Sequence, residues 1–454
     1  MLHTHSATEL ARLIRAGDAT PTDIVDAHIA RIDTVNPAIN SVVTPLFDQA
    51  RQQAAALTGQ LQTFAPADLP PLFGVPVTVK DALAMRGVRH TAGYWPFRDH
   101  IGEEDAAAVT RFKQAGAIIL GRTNCPDLSM SVETENPIFG LTRNPRRLDR
   151  TVGGSSGGEA AIIAAGGSPL GLGSDVAGSV RLPAAMCGIV ALKPSAGRIP
   201  TAGHIPQTTP SIEGWNTVGP MARRIADLWL ALSVLSETPV TPLEAVSLES
   251  RRVLVPRGLW FMPAAPIMME TARRAAGALA DDGLDVQQGA RVPLPKALLE
   301  YIVLLSEGGV RILHEQFRQI EKVSEGVQAN LRAVNVFTGL GSALGFGDFD
   351  QLTAHREAIL SAMGPGGLII WPVYPRQVPR HGFAKSLYGS PAYTSVFNGL
   401  GFPSVSIPVG WDDDDMPLSV QVVARPGEDE TALAAAAILE KTFGGGRLVT
   451  DVPA

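Results

Sequence analysis

Two serines on glycine-rich turns are the residues of this sequence best suited to chemistry. The segment Thr151–Lys193 contains Gly-Gly-Ser-Ser-Gly-Gly, with Ser155 and Ser156 at its centre, and then Asp-Val-Ala-Gly-Ser, which ends at Ser179. Glycines at this density let the backbone adopt positive φ angles or come close to another group. One such cluster is typical of a tight turn that packs a helix against a sheet. Two clusters, each with a serine on the turn, favour a functional site.

Other catalytic patterns are weak or missing from the sequence. Gly154–Gly158 matches G-x-S-x-G, the nucleophile elbow of α/β-hydrolases, but Arg143–Arg150 before it is charged and contains a proline, unlike the buried strand that an elbow must follow. We interpret that match as coincidental. HExxH, C-x-x-C, GxxxxGK[ST] and a G-x-G-x-x-G after a strand are all missing, so neither a metal nor a cofactor is predicted. No histidine adjoins either serine, so nothing in the sequence points to a Ser-His-Asp triad.

The elements that must position these residues alternate between strand and helix patterns, which predicts an α/β sheet protein. The first helix should follow Ser6 and stop at Gly17, and the second should begin at Pro21 and end at Pro37. Residues 57–71 are polar and contain prolines, which predicts a loop. Further strands are predicted at Val75–Val79, Ala117–Leu120, Arg252–Val255, Leu368–Trp371, Ser404–Val409 and Ser419–Ala424, and further helices at Glu103–Gln114 and Glu430–Phe443.

Composition excludes several classes of protein. Of 454 residues, 45% are hydrophobic and 18% are charged, below the roughly 25% charged residues of typical soluble domains, so the bulk of the chain is not disordered. The net charge of −6 gives no field that favours nucleic acid or anionic membranes. Cys125 and Cys187 are too few for a disulfide framework and are predicted to be buried thiols. The first ten residues do not resemble a secretory signal, and prolines break the longest uncharged run, so we expect a cytoplasmic protein without a membrane span.

Two segments differ from this pattern. The acidic run Asp412–Asp415 lies between two predicted strands, and a solvated hairpin turn is favoured there over a metal site. Residues 301–349 carry scattered Leu, Val and Phe, which predicts helices that cover another part of the protein. Within them, Val336–Phe349 can form either part of a pocket or lid, or ordinary core packing.

Three separated blocks in order resemble the amidase signature family. They are V-T-V-K-D-A around Lys80, the GGSSGG block around Ser155, and D-x-x-G-S-V-R around Ser179. Matching flanking segments lie at 136–140, 143–145, 181–183, 188–190, 193–195, 394–398, 401–403 and 420–421. The resemblance covers most of the chain and is weakest between about 240 and 365. Within the family, GGSPLGLGSDVAGS is most similar to fatty acid amide hydrolase and the broad-range amidases.

The resemblance implies a Ser-cisSer-Lys triad. Ser179 would be the nucleophile, Ser155 the bridging hydroxyl and Lys80 the base, with a cis peptide bond between Gly154 and Ser155. A serine hydroxyl needs an adjacent base, and a lysine serves as one only when burial lowers its pKa well below about 10.4. Lys80 ends an apolar strand, which suits such a lysine, although by itself it could equally be a surface lysine paired with Asp81.

The resemblance also implies an oxyanion hole on the turn before the nucleophile. Preorganised backbone donors of this type contribute ~2.7–4 kcal/mol each. We expect Asp175 and Arg181 to hold the turn by hydrogen bonds, with Ser156 in a supporting role. The family more often has Gly-Gly where this chain has Ala-Gly, and we expect the φ of the alanine not to be positive. The implied donors are the N–H groups of Val176, Ala177, Gly178 and Ser179.

The implied reaction is amide hydrolysis through an acyl-enzyme on Ser179. Leu128, Ser129 and Met130 match a region that lines the acyl channel of the family, and an apolar acyl or aryl amide is the predicted substrate. The same triad would cleave a carbamate, which is the first alternative, and esters should also react.

Two further interpretations remain. The glutaminase-type component of a tRNA-dependent amidotransferase would carry Asp three residues before Thr394, and Pro391 there argues against it. A catalytically silent binding protein would lack the lysine or a serine, which are all present. The implied fold is a single large α/β/α domain over 1–454, with a mixed sheet covered by helices on both faces. Its parts would be N-terminal helices at 1–65, a catalytic core at 66–235, a variable region at 240–365 and closing strands at 366–454. A homodimer is expected from the family alone.

Overall fold

A mixed sheet of 11 strands runs through the computed structural model, which describes residues 1–63, 65–310, 317, 320–386 and 389–453, with backbone alone at 62 and 337. The strand order is β1-β3-β2-β6-β8-β7-β12-β13-β11-β9-β10, and β4 and β5 form a separate two-stranded ribbon. The strands are β1 (Val42–Pro45), β2 (Pro76–Lys80), β3 (Ile118–Thr123), β4 (Glu135–Asn136), β5 (Gly140–Leu141), β6 (Leu170–Asp175), β7 (Val190–Lys193), β8 (Thr217–Ala222), β9 (Arg252–Pro256), β10 (Asp285–Ala290), β11 (Leu368–Pro372), β12 (Ser404–Trp411) and β13 (Pro417–Val423).

Parallel and antiparallel pairs are combined in this sheet. Strand β2 pairs in parallel with β3 and β6, and β9 pairs in parallel with β10 and β11. The strands between these groups pair antiparallel, from β6 through β8, β7, β12 and β13 to β11. The α-helices of the described residues are α1 (Ala7–Ala16), α2 (Pro21–Ile39), α3 (Phe47–Gln60), α4 (Ala107–Gln114), α5 (Gly157–Ala164), α6 (Arg181–Cys187), α7 (Ile225–Leu235), α8 (Pro266–Asp281), α9 (Leu294–Leu305), α10 (Glu325–Ala343), α11 (Phe349–Met363), α12 (Ala392–Gly399) and α13 (Asp429–Phe443).

Helices cover both faces of the sheet because its central strands are apolar on both sides. Ile119 of β3 packs in a core with α1, α4, α7, α8 and α13. Its neighbours Ile118 and Leu120 point the other way, into a core with α2, α3, α5 and α6. The predicted α/β fold with a helix-covered mixed sheet is confirmed.

The N-terminal helices confirm two predicted starts and correct one predicted end. Ser6 caps α1, which stops at Gly17, and α2 begins at Pro21. The predicted end of α2 at Pro37 is wrong, because the helix continues to Ile39, which is fully buried. A proline in the last turn removes one backbone hydrogen bond, and burial of the apolar face outweighs that loss.

Three other expectations differ in detail. Helix α3 was not predicted and reaches into residues 57–71, since Ala50 and Ala54 pack it onto the core. Helix α4 begins at Ala107 rather than at Glu103. The exposed acidic run Asp412–Asp415 forms the turn between β12 and β13, as expected. Across the described residues, no helix is long and apolar enough to span a bilayer, and no cluster of acidic, histidine or cysteine side chains is arranged for a metal ion.

Candidate active site

The alternation of side chains along β2 places Lys80 on the face of the sheet that carries the site. Val77 and Val79 of β2 pack into the core on one face, so Thr78 and Lys80 point to the face that carries α5. The Lys80 side chain is fully buried, and its Nζ donates to Ser155 Oγ at 2.6 Å and to Ser174 Oγ at 2.9 Å. Burial lowers the pKa of this amine to about 8, so a neutral lysine is accessible near physiological pH.

Three buried ionisable groups lie near the Lys80 amine. Negative charge on Cys125, Asp175 or Glu159 opposes the effect of burial on its pKa. Burial raises the pKa of Cys125 to about 12 and that of Glu159 to about 8, and Thr78 and Thr123 donate hydrogen bonds to the Glu159 carboxyl. Two of the three groups are therefore largely uncharged at neutral pH, and burial dominates the titration of the lysine.

Close backbone approach explains the glycine before Ser155. A Cβ on Gly154 would lie 2.6 Å from the carbonyl oxygen of Ser131 and 2.8 Å from the amide nitrogen of Glu133. The Gly154–Ser155 peptide bond is cis, as the family resemblance implied. Helix α5 begins two residues after Ser155, at Gly157. The turn therefore holds the Ser155 hydroxyl against Lys80.

Ser156 joins the two serine turns. Its N–H donates to the Ser179 carbonyl at 3.1 Å, and its hydroxyl donates to the Ser174 carbonyl at 3.3 Å. Ser155 and Ser179 both line one cavity. The fold thus brings the three residues of the implied triad to a single site.

A buried ion pair holds the turn that leads to Ser179. Asp175 accepts hydrogen bonds from the N–H of Gly178 at 2.6 Å, from the N–H of Val180 at 3.2 Å and from the Arg181 guanidinium at 3.0 Å. Burial opposes ionisation of this carboxyl, but Arg181 holds its pKa well below the usual range. Arg181 also donates to Asn398, Gln421 and the Thr394 carbonyl, so the turn is tied to α12 and β13.

Hydrogen bonds to carbonyl groups orient the N–H groups of the same turn. Tyr301 Oη donates to the Val176 carbonyl, Asn398 Nδ2 donates to the Asp175 carbonyl at 2.9 Å, and the Leu182 N–H donates to the Gly178 carbonyl at 2.7 Å. In a trans peptide the N–H points opposite to the carbonyl. These contacts therefore set the directions of three N–H groups, those of Val176, Ala177 and Ser179.

The structure corrects the implied set of four oxyanion donors. The Gly178 N–H is already donated to Asp175, so it is not free to bind a substrate oxygen. Gly178 has a φ of 121° and a Cβ there would collide with Thr394, which explains the glycine. Ala177 is outside the set of residues with positive φ, as expected.

Ser174 and His204 are site residues that the sequence analysis missed. Ser174 lies at the end of β6, one residue before Asp175, and its hydroxyl lies between the Lys80 amine and His204 Nε2, which is 2.8 Å away. The sequence carried a signal for Ser174, which is a hydroxyl-bearing residue within the glycine-rich segment. It carried no signal for His204, because His204 lies in a loop beyond β7 and reaches the site only through the fold.

A cavity of about 720 Å³ opens over the serines. Leu128, Ser129 and Met130, predicted from the family to bind substrate, lie in its wall. Apolar side chains dominate the wall, among them Val132, Val176, Leu182, Ile302, Leu305, Val310 and Val334. Helices α9 and α10 line the cavity, which agrees with the helices predicted in 301–349, of which 311–316, 318 and 319 lie outside the described residues. From α10 the described wall residues are Asn330, Ala333 and Val334. Of the two alternatives for Val336–Phe349, a pocket wall or core packing, neither fits Val336, Leu340 and Leu344, which are exposed.

Several known proteins are similar to this chain over almost its whole length. The family model described as Amidase matches residues 23–433. Fatty-acid amide hydrolase 2-A of Danio rerio is 33% identical over 97% of this chain and 89% of its own length. A glutamyl-tRNA(Gln) amidotransferase subunit of Roseiflexus sp. (strain RS-1) is 30% identical over 95% of each chain. The solved structure of 6-aminohexanoate cyclic dimer hydrolase has a TM-score of 0.82 at 31% identity, and the match covers 98% of this chain and 97% of that one. The chain therefore belongs to the amidase signature family and is a hydrolase that acts on C–N amide bonds.

Proposed function

We propose that this hydrolase cleaves amides with an apolar acyl or aryl group, with Ser179 as nucleophile, Ser155 as bridging hydroxyl and Lys80 as base. The observation that supports it most is the 2.6 Å contact between the buried Lys80 amine and Ser155 Oγ at the cavity that Ser179 also lines. A desolvated amine is a strong enough base to activate a hydroxyl at neutral pH.

In the proposed mechanism the neutral amine of Lys80 takes the proton of Ser155 as Ser155 takes that of Ser179. Ser179 Oγ then forms a bond to the carbonyl carbon, and the carbonyl electron pair moves onto the oxygen. As the C–N bond breaks, the proton returns through Ser155 to the leaving nitrogen. Water repeats the sequence on the acyl-enzyme, which releases the acid and restores the Ser179 hydroxyl.

Three backbone donors are available for the oxyanion. The N–H groups of Val176, Ala177 and Ser179 belong to residues that line the cavity, and the hydrogen bonds to the carbonyls before them hold each peptide plane in place. Donors fixed in this way stabilise developing charge without reorganising during the reaction.

The cavity wall supports an apolar substrate. None of the described residues that line it is an aspartate or glutamate, so no carboxylate there could pair with the ammonium group of glutamine. Pro391 lies in the wall where an acidic residue would have been needed. Although one relative is part of an amidotransferase, these two features argue against glutamine as the substrate. The names of the other two relatives, a fatty-acid amide hydrolase and a hydrolase of the cyclic dimer of 6-aminohexanoate, agree with an apolar acyl group.

The test compares wild type with Ser179→Ala on the nitroanilide of a medium-length acyl chain and on the matching alkyl carbamate. We expect wild type to release nitroaniline faster from the anilide, and Ser179→Ala to lose about 10⁴-fold or more in kcat/KM. Ser233→Ala, on the exposed face of α7, is the matched control and should keep full activity at an unchanged melting temperature.

Two other results would change the proposal. Activity retained by a folded Ser179→Ala protein would place the nucleophile elsewhere. Faster Ser179-dependent cleavage of the carbamate would keep the triad and identify the enzyme as a urethanase, which uses the same steps.

A further inference from the structure

A second buried chain of hydrogen bonds leads from Lys80 through Ser174 to His204. Lys80 Nζ donates to Ser174 Oγ at 2.9 Å, and Ser174 Oγ lies 2.8 Å from His204 Nε2. His204 is 4% exposed and, like Ser174, lies in the cavity wall. The mechanism above uses neither residue.

The contacts of His204 determine which of its ring nitrogens carries the proton. Nδ1 lies 2.8 Å from the Pro206 carbonyl oxygen, which can only accept a hydrogen bond, so the proton is on Nδ1. The Asn216 amide lies 3.1 Å from the same nitrogen and would therefore turn its oxygen toward the ring. Burial and the nearby Lys80 lower the pKa of His204 to about 3, so the ring stays neutral. Nε2 is thus an acceptor.

The neutral ring in turn determines the role of Ser174. A hydroxyl has one proton, and with Nε2 as acceptor Ser174 donates that proton to the ring. Its oxygen must then accept from Lys80. Among the described residues, the hydrogen-bond partners of the amine are the hydroxyls of Ser155 and Ser174. An amine whose N–H is given to Ser174 can turn its lone pair toward Ser155.

We propose that His204 is a positioning residue for amide hydrolysis, which fixes the Ser174 hydroxyl as an acceptor and so orients the lone pair of Lys80 toward Ser155. The inference rests on the proposed function, since it needs Lys80 as the base. Without His204, the Ser174 hydroxyl is free to turn its proton onto that lone pair and compete with Ser155. A proton donated to that lone pair stabilises the neutral amine, which lowers the pKa of Lys80.

The experiment measures kcat and KM from pH 6 to 10 for His204→Phe and His204→Gln. Phenylalanine keeps the ring without an acceptor, and we expect kcat to fall about 10- to 100-fold, KM to stay within about twofold, and the pKa of the acidic limb to move down. Glutamine places an acceptor oxygen near the position of Nε2, so His204→Gln should recover most of the activity and the wild-type limb.

A double variant separates positioning from packing. If His204 acts through Ser174, then adding His204→Phe to a Ser174→Ala protein should cause no further loss of kcat. Additive losses of kcat in the double variant would overturn the proposal. So would a folded His204→Phe protein whose kcat and acidic limb of the pH–rate profile are unchanged. An equal loss of kcat in His204→Gln and His204→Phe would overturn it as well.

Two controls complete the design. If His204→Phe does not fold, His204→Leu carries the same test, since leucine also lacks a hydrogen-bond acceptor for Ser174. Activity retained by Ser179→Ala would reject the proposed function itself. Dependence on Ser179 without dependence on His204 would reject only the positioning role.

Discussion

The serine segment, residues 151–195, and the helical cover, residues 294–310 and 320–349, differ in how much of their structure is constrained. Every residue of the serine segment is buried except Val176 and Ala177, and these two half-buried residues lie in the cavity wall. The cover instead exposes large apolar side chains, with Leu340 59% and Leu344 75% accessible. One region is therefore enclosed on all sides apart from the place where substrate would bind, and the other is half open to water.

The two regions are also held by different interactions. The turn before Ser179 depends on directional hydrogen bonds from Asp175, Arg181 and Asn398, each of which satisfies a buried group. When a buried donor or acceptor loses its partner, the folded state is destabilised by the full cost of desolvating that group. The cover has fewer such bonds, among them Tyr301 Oη to the Val176 carbonyl and Ser324 Oγ to Asp127 at 2.7 Å, and it also packs through apolar contacts. Apolar contacts tolerate changes of shape at similar volume. We therefore expect substitutions in the serine segment to reduce the catalytic rate and substitutions in the cover to change the substrate range.

The largest effect on activity should come from replacing Lys80, the proposed base, whose amine contacts Ser155 of the serine segment. Lys80→Met keeps the length of the side chain without the amine, and kcat/KM should fall about 10⁴-fold or more. In wild type only the neutral amine accepts a proton, and the neutral fraction grows as pH rises. With a pKa of about 8, kcat/KM should rise through that pH and level off above it, as a pH–rate profile would show.

A second buried lysine provides the control for this profile. Burial lowers the pKa of Lys193 to about 7, and its amine donates to the Pro194 carbonyl at 2.9 Å. If Lys80 is the base, Lys193→Met should leave the acidic limb of the pH–rate profile unchanged. A profile that stays flat from pH 6 to 9, or a limb that disappears in Lys193→Met, would contradict the assignment.

The next effect should come from breaking the ion pair of the serine segment. Arg181→Met leaves the Asp175 carboxylate buried without its cation, so we expect a loss of about 3–5 kcal/mol in the free energy of unfolding. Urea denaturation would measure it. Arg273→Met removes an exposed partner of Glu270 and should cost about 0–1 kcal/mol. Equal losses in the two variants would mean that the buried ion pair stabilises the serine segment no more than an exposed pair stabilises the surface.

The smallest effect should come from the cover and should change selectivity rather than rate. Val334 lines the cavity from α10, and Val334→Phe reduces the room for a long acyl chain. We expect kcat/KM for a medium-chain anilide to fall about tenfold while that for an acetanilide stays within about twofold. Leu340→Ser, on the exposed face of the same helix, should change neither value. Equal losses on both substrates in Val334→Phe would show that the cover also shapes the catalytic geometry.

Local sequence was informative wherever a residue's role depends on its neighbours in the chain. The alternation of β2, the caps Ser6 and Gly17, and the acidic turn at 412–415 were all readable, because each depends on contacts within a few residues. The end of α2 was misread because burial of Ile39, a tertiary contact, outweighs the local effect of Pro37. Residues 47–60 were missed although the local signal was present, since Ala and Gln, both strong helix formers, make up most of α3.

The sequence by itself determined the family, because three separated blocks in order resemble it, and that resemblance implied the mixed α/β fold and the candidate residues Lys80, Ser155 and Ser179. Tertiary structure decided that the Gly178 N–H donates to Asp175, and that Ser174 contacts Lys80 and His204 contacts Ser174. It also decided which described side chains of α10 line the cavity, namely Asn330, Ala333 and Val334. The physical reason is that burial and hydrogen-bond partners depend on residues far apart in the chain. A donor or acceptor can make only one or a few hydrogen bonds, so which group it contacts is settled only when the chain is folded.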